Sequence, residues 1–507
     1  MPSSSPRPAA SAASTRRAAP YGTPTARPAG AVTWDDFLAC VTAPSPAGLN
    51  RQVARDAGQL AVVEAAPGES LFIIAGPGTG KTTALALRIL KLVFVDGLDP
   101  AAVLATTFTK KAATELRSRV LGWGDTLRRA LLARYAADAA AAERLRTLDL
   151  NRVVTGTLDS IAEQVLTLYR APGSQPPIVL EDFVARAVLQ RALWHAQRHK
   201  NPDLLAYAQH LHVQSRMLAR DVVSIAREVR DRFLHDQVDV ERFRLWTVGT
   251  HPGAAVLCDA VASYEAQLAD SLTVDFAGLE QQFLEAIRDG RAREFTDTLR
   301  VILVDEYQDT NLLQEQIYLA LGAAAAARGG AITIVGDDDQ SLYRFRGATV
   351  ELFVDFPDRL RRACGVRPRT VALSNNYRST PAIVQFFGGF ADADPDYSPA
   401  RVPSKPALAA ARGGTFTAYP CWACSGLTSA RWPGISPRSL RRCSAGAASG
   451  SGVGRTPSPS CATRSPAASA IAPSSAVRPR RCRAAAIRAS PSSCGSTSCR
   501  APHQSRW

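Results

Sequence analysis

Leu71-Phe-Ile-Ile-Ala-Gly-Pro-Gly-Thr-Gly-Lys-Thr82 opens on a short apolar run, turns through glycine at every second position from Gly76 to Gly80, and ends on Gly-Lys-Thr. Thr83-Ala-Leu-Ala-Leu-Arg-Ile-Leu90 follows at once. A buried strand, a glycine-rich loop and a helix are therefore expected in immediate succession. Gly76, Gly78 and Gly80 let backbone N–H groups turn inward around phosphate oxygens, and the helix that follows points its positive end at the same anion. Lys81 is expected to reach the β- and γ-phosphates and Thr82 to hold Mg²⁺ through its hydroxyl. Ala75, Gly76, Pro77, Gly78, Thr79, Gly80, Lys81, Thr82 and Thr83 form the expected nucleotide-binding set. Ala75 stands where the general pattern has its first glycine, which is tolerable where no positive φ is needed. A glycine-rich turn that merely joined a strand to a helix would have no use for the Gly-Lys-Thr ending.

Two more apolar runs end in acidic loops. Val301-Ile-Leu-Val304 leads into Asp305-Glu-Tyr-Gln-Asp-Thr310, and Ala331-Ile-Thr-Ile-Val335 leads into Gly336-Asp-Asp-Asp-Gln340. Ligands of open α/β sheets bind at the carboxyl ends of the strands. Asp305 is then expected to hold Mg²⁺, Glu306 to orient or deprotonate the attacking water, and Gln340 to sense the γ-phosphate. A lone Asp-Glu after a strand is usually a solvated loop. Three strand ends with complementary phosphate and metal chemistry in one chain reverse that judgement.

Taken in order, Ala75–Thr82, Thr107-Phe-Thr-Lys-Lys-Ala-Ala113, Asp305-Glu-Tyr-Gln-Asp-Thr-Asn311, Gly336-Asp-Asp-Asp-Gln-Ser-Leu-Tyr-Arg-Phe-Arg-Gly-Ala348 and Asn376-Tyr-Arg-Ser-Thr380 closely resemble motifs I, Ia, II, III and IV of UvrD-like superfamily 1 DNA helicases. The resemblance covers roughly residues 46–405. It implies an ATP- and Mg²⁺-dependent motor that runs 3′ to 5′ on single-stranded DNA and acts at duplex junctions in repair or recombination. It further implies two RecA-like domains with ATP between them. Gln59, 22 residues before Lys81, resembles the family glutamine that reads adenine; Tyr377 resembles the aromatic that stacks on the base, and Arg378 the arginine that reaches the γ-phosphate. Thr107, Phe108, Lys110, Thr157, Tyr343, Phe345 and Arg346 match family positions near the single strand. Aromatic faces suit that role, because base stacking is sequence-tolerant. Without the resemblance the same aromatics would be read as core. Thr155-Gly-Thr-Leu-Asp-Ser160 departs from motif Ib, with Leu158 and Asp159 in place of the usual Phe and His, and Phe345 stands where Trp is common.

The expected fold is α/β: a RecA-like P-loop NTPase domain with a parallel sheet, an inserted α-helical subdomain, the start of a second RecA-like domain, and disordered termini. The corresponding segments are 1–30 (disordered), 46–118 and 273–370 (first domain), 119–272 (insertion), 371–405 (start of the second) and 406–507 (tail). Residues 119–272 are read as amphipathic helices from apolar spacings of three and four, as in Phe183-Val184-Ala187-Val188-Arg191-Ala192-Trp194.

The net charge of +15 invites a nucleic-acid argument that its distribution does not support. Residues 406–507 hold fourteen Arg and no Lys, Asp or Glu, and four more Arg lie in residues 1–30, so the body is close to neutral. Seven of the ten cysteines also lie in the tail. Its Arg, Ala, Ser, Pro and Gly text lacks the periodicity of a folded domain. It is what a GC-rich coding sequence yields out of frame; a basic nucleic-acid-binding arm is the rival reading. Cys421 and Cys424 have irregularly spaced partners, so zinc is not expected. Motifs V and VI are not found, so the chain reads as a truncated helicase; the alternative is an ATP- and DNA-binding remnant without unwinding activity. No apolar run approaches the ~20 residues needed to span a bilayer. A cytoplasmic location is expected.

Overall fold

A computed structural model describes residues 31–170, 172–212, 219–341, 348–393, 401–403 and 405–412. Segment 1–30, residues 413–507, and three of the expected DNA-contact residues, Tyr343, Phe345 and Arg346, lie outside the described residues.

Ten strands are present among them: β1 (Leu71–Ala75), β2 (Val103–Thr106), β3 (Val154–Gly156), β4 (Ile178–Val179), β5 (Thr273–Val274), β6 (Val301–Val304), β7 (Ala331–Gly336), β8 (Arg369–Leu373), β9 (Asn375–Asn376) and β10 (Ala409–Ala410). Six of them form one parallel sheet in the order β3-β2-β6-β7-β1-β8. Parallel strands covered on both faces read as continuous apolar runs, and the two cores account for that here. Leu71, Ile73 and Ala75 of β1 pack on one face with the helices Trp34–Thr42, Lys81–Phe94 and Lys110–Arg134. Phe72 and Ile74 pack on the other with Leu158–Leu168, Phe276–Arg288, Leu312–Ala326 and Phe356–Cys364. β2 and β6 alternate in the same way, which fixes the register of the sheet.

The structure moves two of the segment boundaries. Residues 119–153, read as part of the insertion, cover the first core with Val120, Leu127, Leu131 and Leu150, and Val154–Gly156 joins the sheet beside β2. The helical excursion proper lies between β4 and β5, which pair side by side where the chain leaves and returns. Val154-Thr-Gly156 is too short and too polar to stand out as a strand, and only its pairing with β2 makes it one. Residues 371–373, read as the start of a second domain, pair with β1 and complete the first sheet.

The excursion has its own core, built from Leu189, Leu193, Leu204, Val222, Leu257, Tyr264 and Leu268. It is tied to the first domain by charge as well. Asp275 caps the helix Phe276–Arg288 by accepting from the Gly278 N–H at 2.9 Å. The same carboxylate accepts from Arg227 at 2.5 Å, Arg230 at 2.8 Å and the Tyr264 hydroxyl at 2.7 Å. Burial raises the Asp275 pKa, but the two guanidiniums, the tyrosine and the amide outweigh it and lower it from 3.8 to about 2. Among the described residues no helix is long and apolar enough to cross a membrane.

Removing a carboxylate that two buried guanidiniums share leaves uncompensated charge, so Asp275→Ala is expected to destabilise the protein by about 3–5 kcal/mol in chemical denaturation. The folded-state pKa lies below the unfolded value, so the stabilisation is complete above about pH 5 and is lost as pH falls toward 2. Acid titration of wild type should therefore lose about 2 kcal/mol over that window that Asp275→Asn does not lose.

Candidate functional site

All six parallel strands deliver their carboxyl ends to one edge, and the described residues singled out around the loop and the two acidic strand ends collect there. The phosphate loop leaves β1. Gly78 and Gly80 take left-handed φ of +72° and +86°, and Gly80 starts the helix Lys81–Phe94. A side chain at either would be strained by backbone and by space: a Cβ on Gly78 would lie 2.7 Å from the Arg378 Cβ, and one on Gly80 2.7 Å from Gln59 Nε2.

β6 carries the two carboxylates. Lys81 Nζ pairs with Glu306 Oε2 at 2.6 Å, and Gln308 Nε2 donates to the same oxygen at 2.9 Å. Glu306 has a left-handed backbone, φ 55° and ψ 46°, a conformation that costs a non-glycine residue about 1 kcal/mol or more and that tends to collect at functional sites. Asp305 is buried and accepts from the Glu306 N–H at 3.0 Å. Burial first, and the adjacent Glu306 carboxylate second, hold its pKa well above the ordinary carboxylate range. A desolvated carboxylate next to another is a group that a dication would stabilise, and with Thr82 at the helix start the donor set fits Mg²⁺ with a nucleotide.

Beside the loop lies the helix Ala57–Glu64. Its N-cap, Asp56, accepts from the Gln59 N–H at 3.0 Å, and Gln59 Nε2 donates to Thr79 O of the phosphate loop at 2.9 Å. Asp56 also accepts from the Tyr377 hydroxyl at 2.6 Å and from Asn375 Nδ2 at 3.2 Å. Tyr377 N–H donates to Gly78 O at 2.9 Å, and Asn376 Nδ2 to Pro77 O at 2.7 Å. Asn376 Oδ1 in turn accepts from the N–H groups of Arg378 and Ser379 at 2.9 and 2.7 Å. Tyr377 and Arg378 are thus brought beside the loop by backbone contacts, with both side chains exposed.

The acidic end of β7 is neutralised from within the chain. Lys405 Nζ pairs with Asp337 at 2.6 Å and Asp339 at 2.9 Å, and also with Asp338; Arg401 pairs with Asp339 at 2.8 Å. Asp337–Asp339 are close enough to one another to hold a metal ion, but an ammonium group sits among them. Gln340 donates to the Asp337 carboxylate, and Gln308 Oε1 accepts from the Asp337 N–H at 3.0 Å, so the ends of β6 and β7 are linked through one side chain.

Four of the expected DNA-contact residues, Thr107, Phe108, Lys110 and Thr157, share a cavity of about 720 Å³ with Asp305 and Glu306. Arg186, Arg227 and Arg232 from the helical excursion line it, as do Asp159, Glu228, Asp231 and Glu280. Its charge is mixed, so attraction for a polyanion would have to be local. The Thr157 hydroxyl is occupied as the N-cap of the helix Leu158–Leu168, accepting from the Ser160 N–H at 3.3 Å.

Sequence reading missed Asp56, Gln308, Lys405 and Leu408. Asp56 carries a signal, an acidic N-cap three residues before a glutamine at the head of an apolar run. Leu408 carries none: a Cβ on Gly76 would lie 2.5 Å from its side chain, a contact created only by the pairing of β10 with β9.

A family profile described as the UvrD/REP helicase N-terminal domain matches residues 56–361. The chain is 30% identical over 360 residues to the ATP-dependent DNA helicase UvrD1 of Mycobacterium tuberculosis, covering 67% of this chain and 39% of that protein. It is 30% identical over 328 residues to UvrD2 of the same organism, covering 63% and 41%. It is 26% identical over 324 residues to the ATP-dependent DNA helicase Rep of Buchnera aphidicola, covering 62% and 39%. The chain therefore spans about two fifths of the length of these relatives. With the profile covering more than half of its residues, the chain belongs to the UvrD/REP helicase family, by that family's N-terminal domain.

Proposed function

We propose that this chain is the ATP-binding and DNA-gripping part of a helicase motor, which couples ATP hydrolysis to 3′-to-5′ movement on single-stranded DNA during repair or recombination. The observation that carries the reading is the 2.6 Å ion pair between Lys81 and Glu306, set against the buried Asp305. A γ-phosphate entering the loop competes with Glu306 for the Lys81 ammonium. Glu306, released from that partner, can take a proton from the attacking water. Thr82 and Asp305 would hold Mg²⁺, which would supply charge neutralisation at the phosphates.

Gln59 reads the base edge, the Tyr377 ring stacks on the base while its hydroxyl stays on Asp56, and Arg378 and Gln340 respond to the γ-phosphate. The hydrogen bonds of Gln59 to Thr79 O and of the Tyr377 N–H to Gly78 O support the first two roles. Phe108 and Lys110, which line the cavity that also holds Asp305 and Glu306, grip the single strand with Thr107 and Thr157. Tyr343, Phe345 and Arg346 join them by their match to the family motif.

A second reading is an ATP- and DNA-binding protein that does not unwind duplexes on its own. One observation favours it: the helix Pro381–Ala393 leaves Ile383, Phe386, Phe387 and Phe390 exposed at helical spacing, an apolar face turned outward on the described part of the chain.

Lys81→Ala should remove ATP binding and turnover together. Glu306→Gln should keep ATP binding and lower DNA-stimulated turnover by about 10²-fold or more, the scale of a lost general base. ATP binding by wild type that is matched by Lys81→Ala would sink the reading. Phe108→Ala should weaken single-stranded DNA binding by about 1–3 kcal/mol without changing ATP affinity, measured by fluorescence anisotropy. A strand-displacement assay separates the two readings, since wild type that hydrolyses ATP on DNA but opens no duplex selects the second.

A further inference from the structure

We infer that Arg88 is a positioning residue that sets the spacing between the phosphate loop and Gln59, and with it the choice of base. The inference rests on the nucleotide-site reading above.

Arg88 lies two turns into the helix that the phosphate loop opens, about 10 Å along its axis from Lys81. Its side chain is fully buried and points away from the cleft, into the end of the helix Ala57–Glu64. Nη1 donates to Val62 O at 2.9 Å and Ala65 O at 3.0 Å; Nη2 donates to Ala66 O at 3.3 Å and Glu69 O at 3.4 Å. A helix end leaves carbonyls without intrahelical partners and favours a cation beside them. Lys91 Nζ adds a bond to Ala65 O at 3.1 Å, and Arg369 Nη2 one to Ala61 O at 3.1 Å.

A buried guanidinium is costly, and among the described residues no carboxylate lies within ion-pairing distance of this one. Burial lowers its pKa to about 10, so it stays charged at neutral pH. Leucine or methionine would fill the same space. What they lack is a planar fork that holds several carbonyls at fixed separations.

The two closer carbonyls belong to the element that carries Gln59, Val62 O in its last turn and Ala65 O at its C-cap, and Ala66 O and Glu69 O lie in the turn that follows. Gln59 is one turn from Val62, about 4.5 Å along the axis of an eight-residue helix, so a shift at the gripped end is carried to its amide. The helix Lys81–Phe94 therefore holds the phosphate loop covalently and the base reader through Arg88. With one N–H on Thr79 O, the Gln59 carboxamide keeps one donor and its acceptor oxygen, which matches N7 and the N6 amino group of adenine, whereas guanine presents two acceptors on that edge. A displaced Gln59 loses this discrimination, and the loop keeps its grip on phosphates.

The test uses the full chain and compares affinities for ATP, GTP and inorganic tripolyphosphate in wild type, Arg88→Lys, Arg88→Met, Gln59→Ala and the double variant Gln59→Ala/Arg88→Lys. Arg88→Met, checked for folding by circular dichroism, should lower the ATP-to-GTP preference about tenfold and change tripolyphosphate affinity less than twofold. Arg88→Lys should fall between the two, and it carries the test if the methionine variant does not fold. In the Gln59→Ala background Arg88→Lys should leave the preference unchanged, because both act through one amide. Parallel losses of ATP and tripolyphosphate affinity, or additive effects in the double variant, overturn the inference. Wild type that binds tripolyphosphate but does not prefer ATP also overturns it and leaves the phosphate site standing; wild type that binds neither overturns the nucleotide-site reading itself.

Discussion

The six strands of the main sheet all run the same way, and that constraint organises the rest of the molecule. Parallel strands need crossover connections that cover both faces, which commits β1, β2 and β6 to full burial and makes their sequences almost entirely apolar. Polar chemistry is then left to the strand ends and the loops beyond them. The loop after β1, both carboxylates, the acidic end of β7 and the Asn375–Arg378 segment meet at the carboxyl edge, where ligands of open α/β sheets bind.

Concentrating charge at one edge has a cost that the structure meets with paired groups. Glu306 takes Lys81 and Gln308; Asp337, Asp338 and Asp339 share Lys405, with Arg401 beside it. These pairs also connect strand ends, since Gln308 spans β6 and β7 and Lys405 brings the segment before β10 onto β7. Through Gln308 the Lys81–Glu306 pair is connected to Asp337, whose carboxylate also accepts from Gln340. The Asp275 cluster plays a comparable part for the helical excursion, where two arginines and a tyrosine meet the cap of a first-domain helix in the interior.

Much of this was legible in the chain. Leu71–Ile74, Val301–Val304 and Ala331–Val335 announce themselves as buried strands, and the loops that follow carry residue types with little use outside phosphate chemistry. The five motifs in order led to the family that the profile match then showed. Less legible were the short strands. Val154–Gly156 and Asn375–Asn376 have no period to read, and each is a strand only because a partner edge lies beside it. For that reason the helical excursion begins later than its composition suggested, and β8 belongs to the first sheet.

By itself the sequence determined the strand–loop–helix unit at Leu71–Phe94, the acidic strand ends and the mixed α/β class, because each rests on local periodicity and on residue types a few positions apart. Tertiary structure alone decided which of these groups touch. That Glu306 holds Lys81, that Arg88 grips the end of the helix bearing Gln59, and that Lys405 sits among three aspartates are contacts across 225, 26 and about 67 positions of chain. Such contacts follow from strand order and side-chain reach in three dimensions, and no local pattern encodes either.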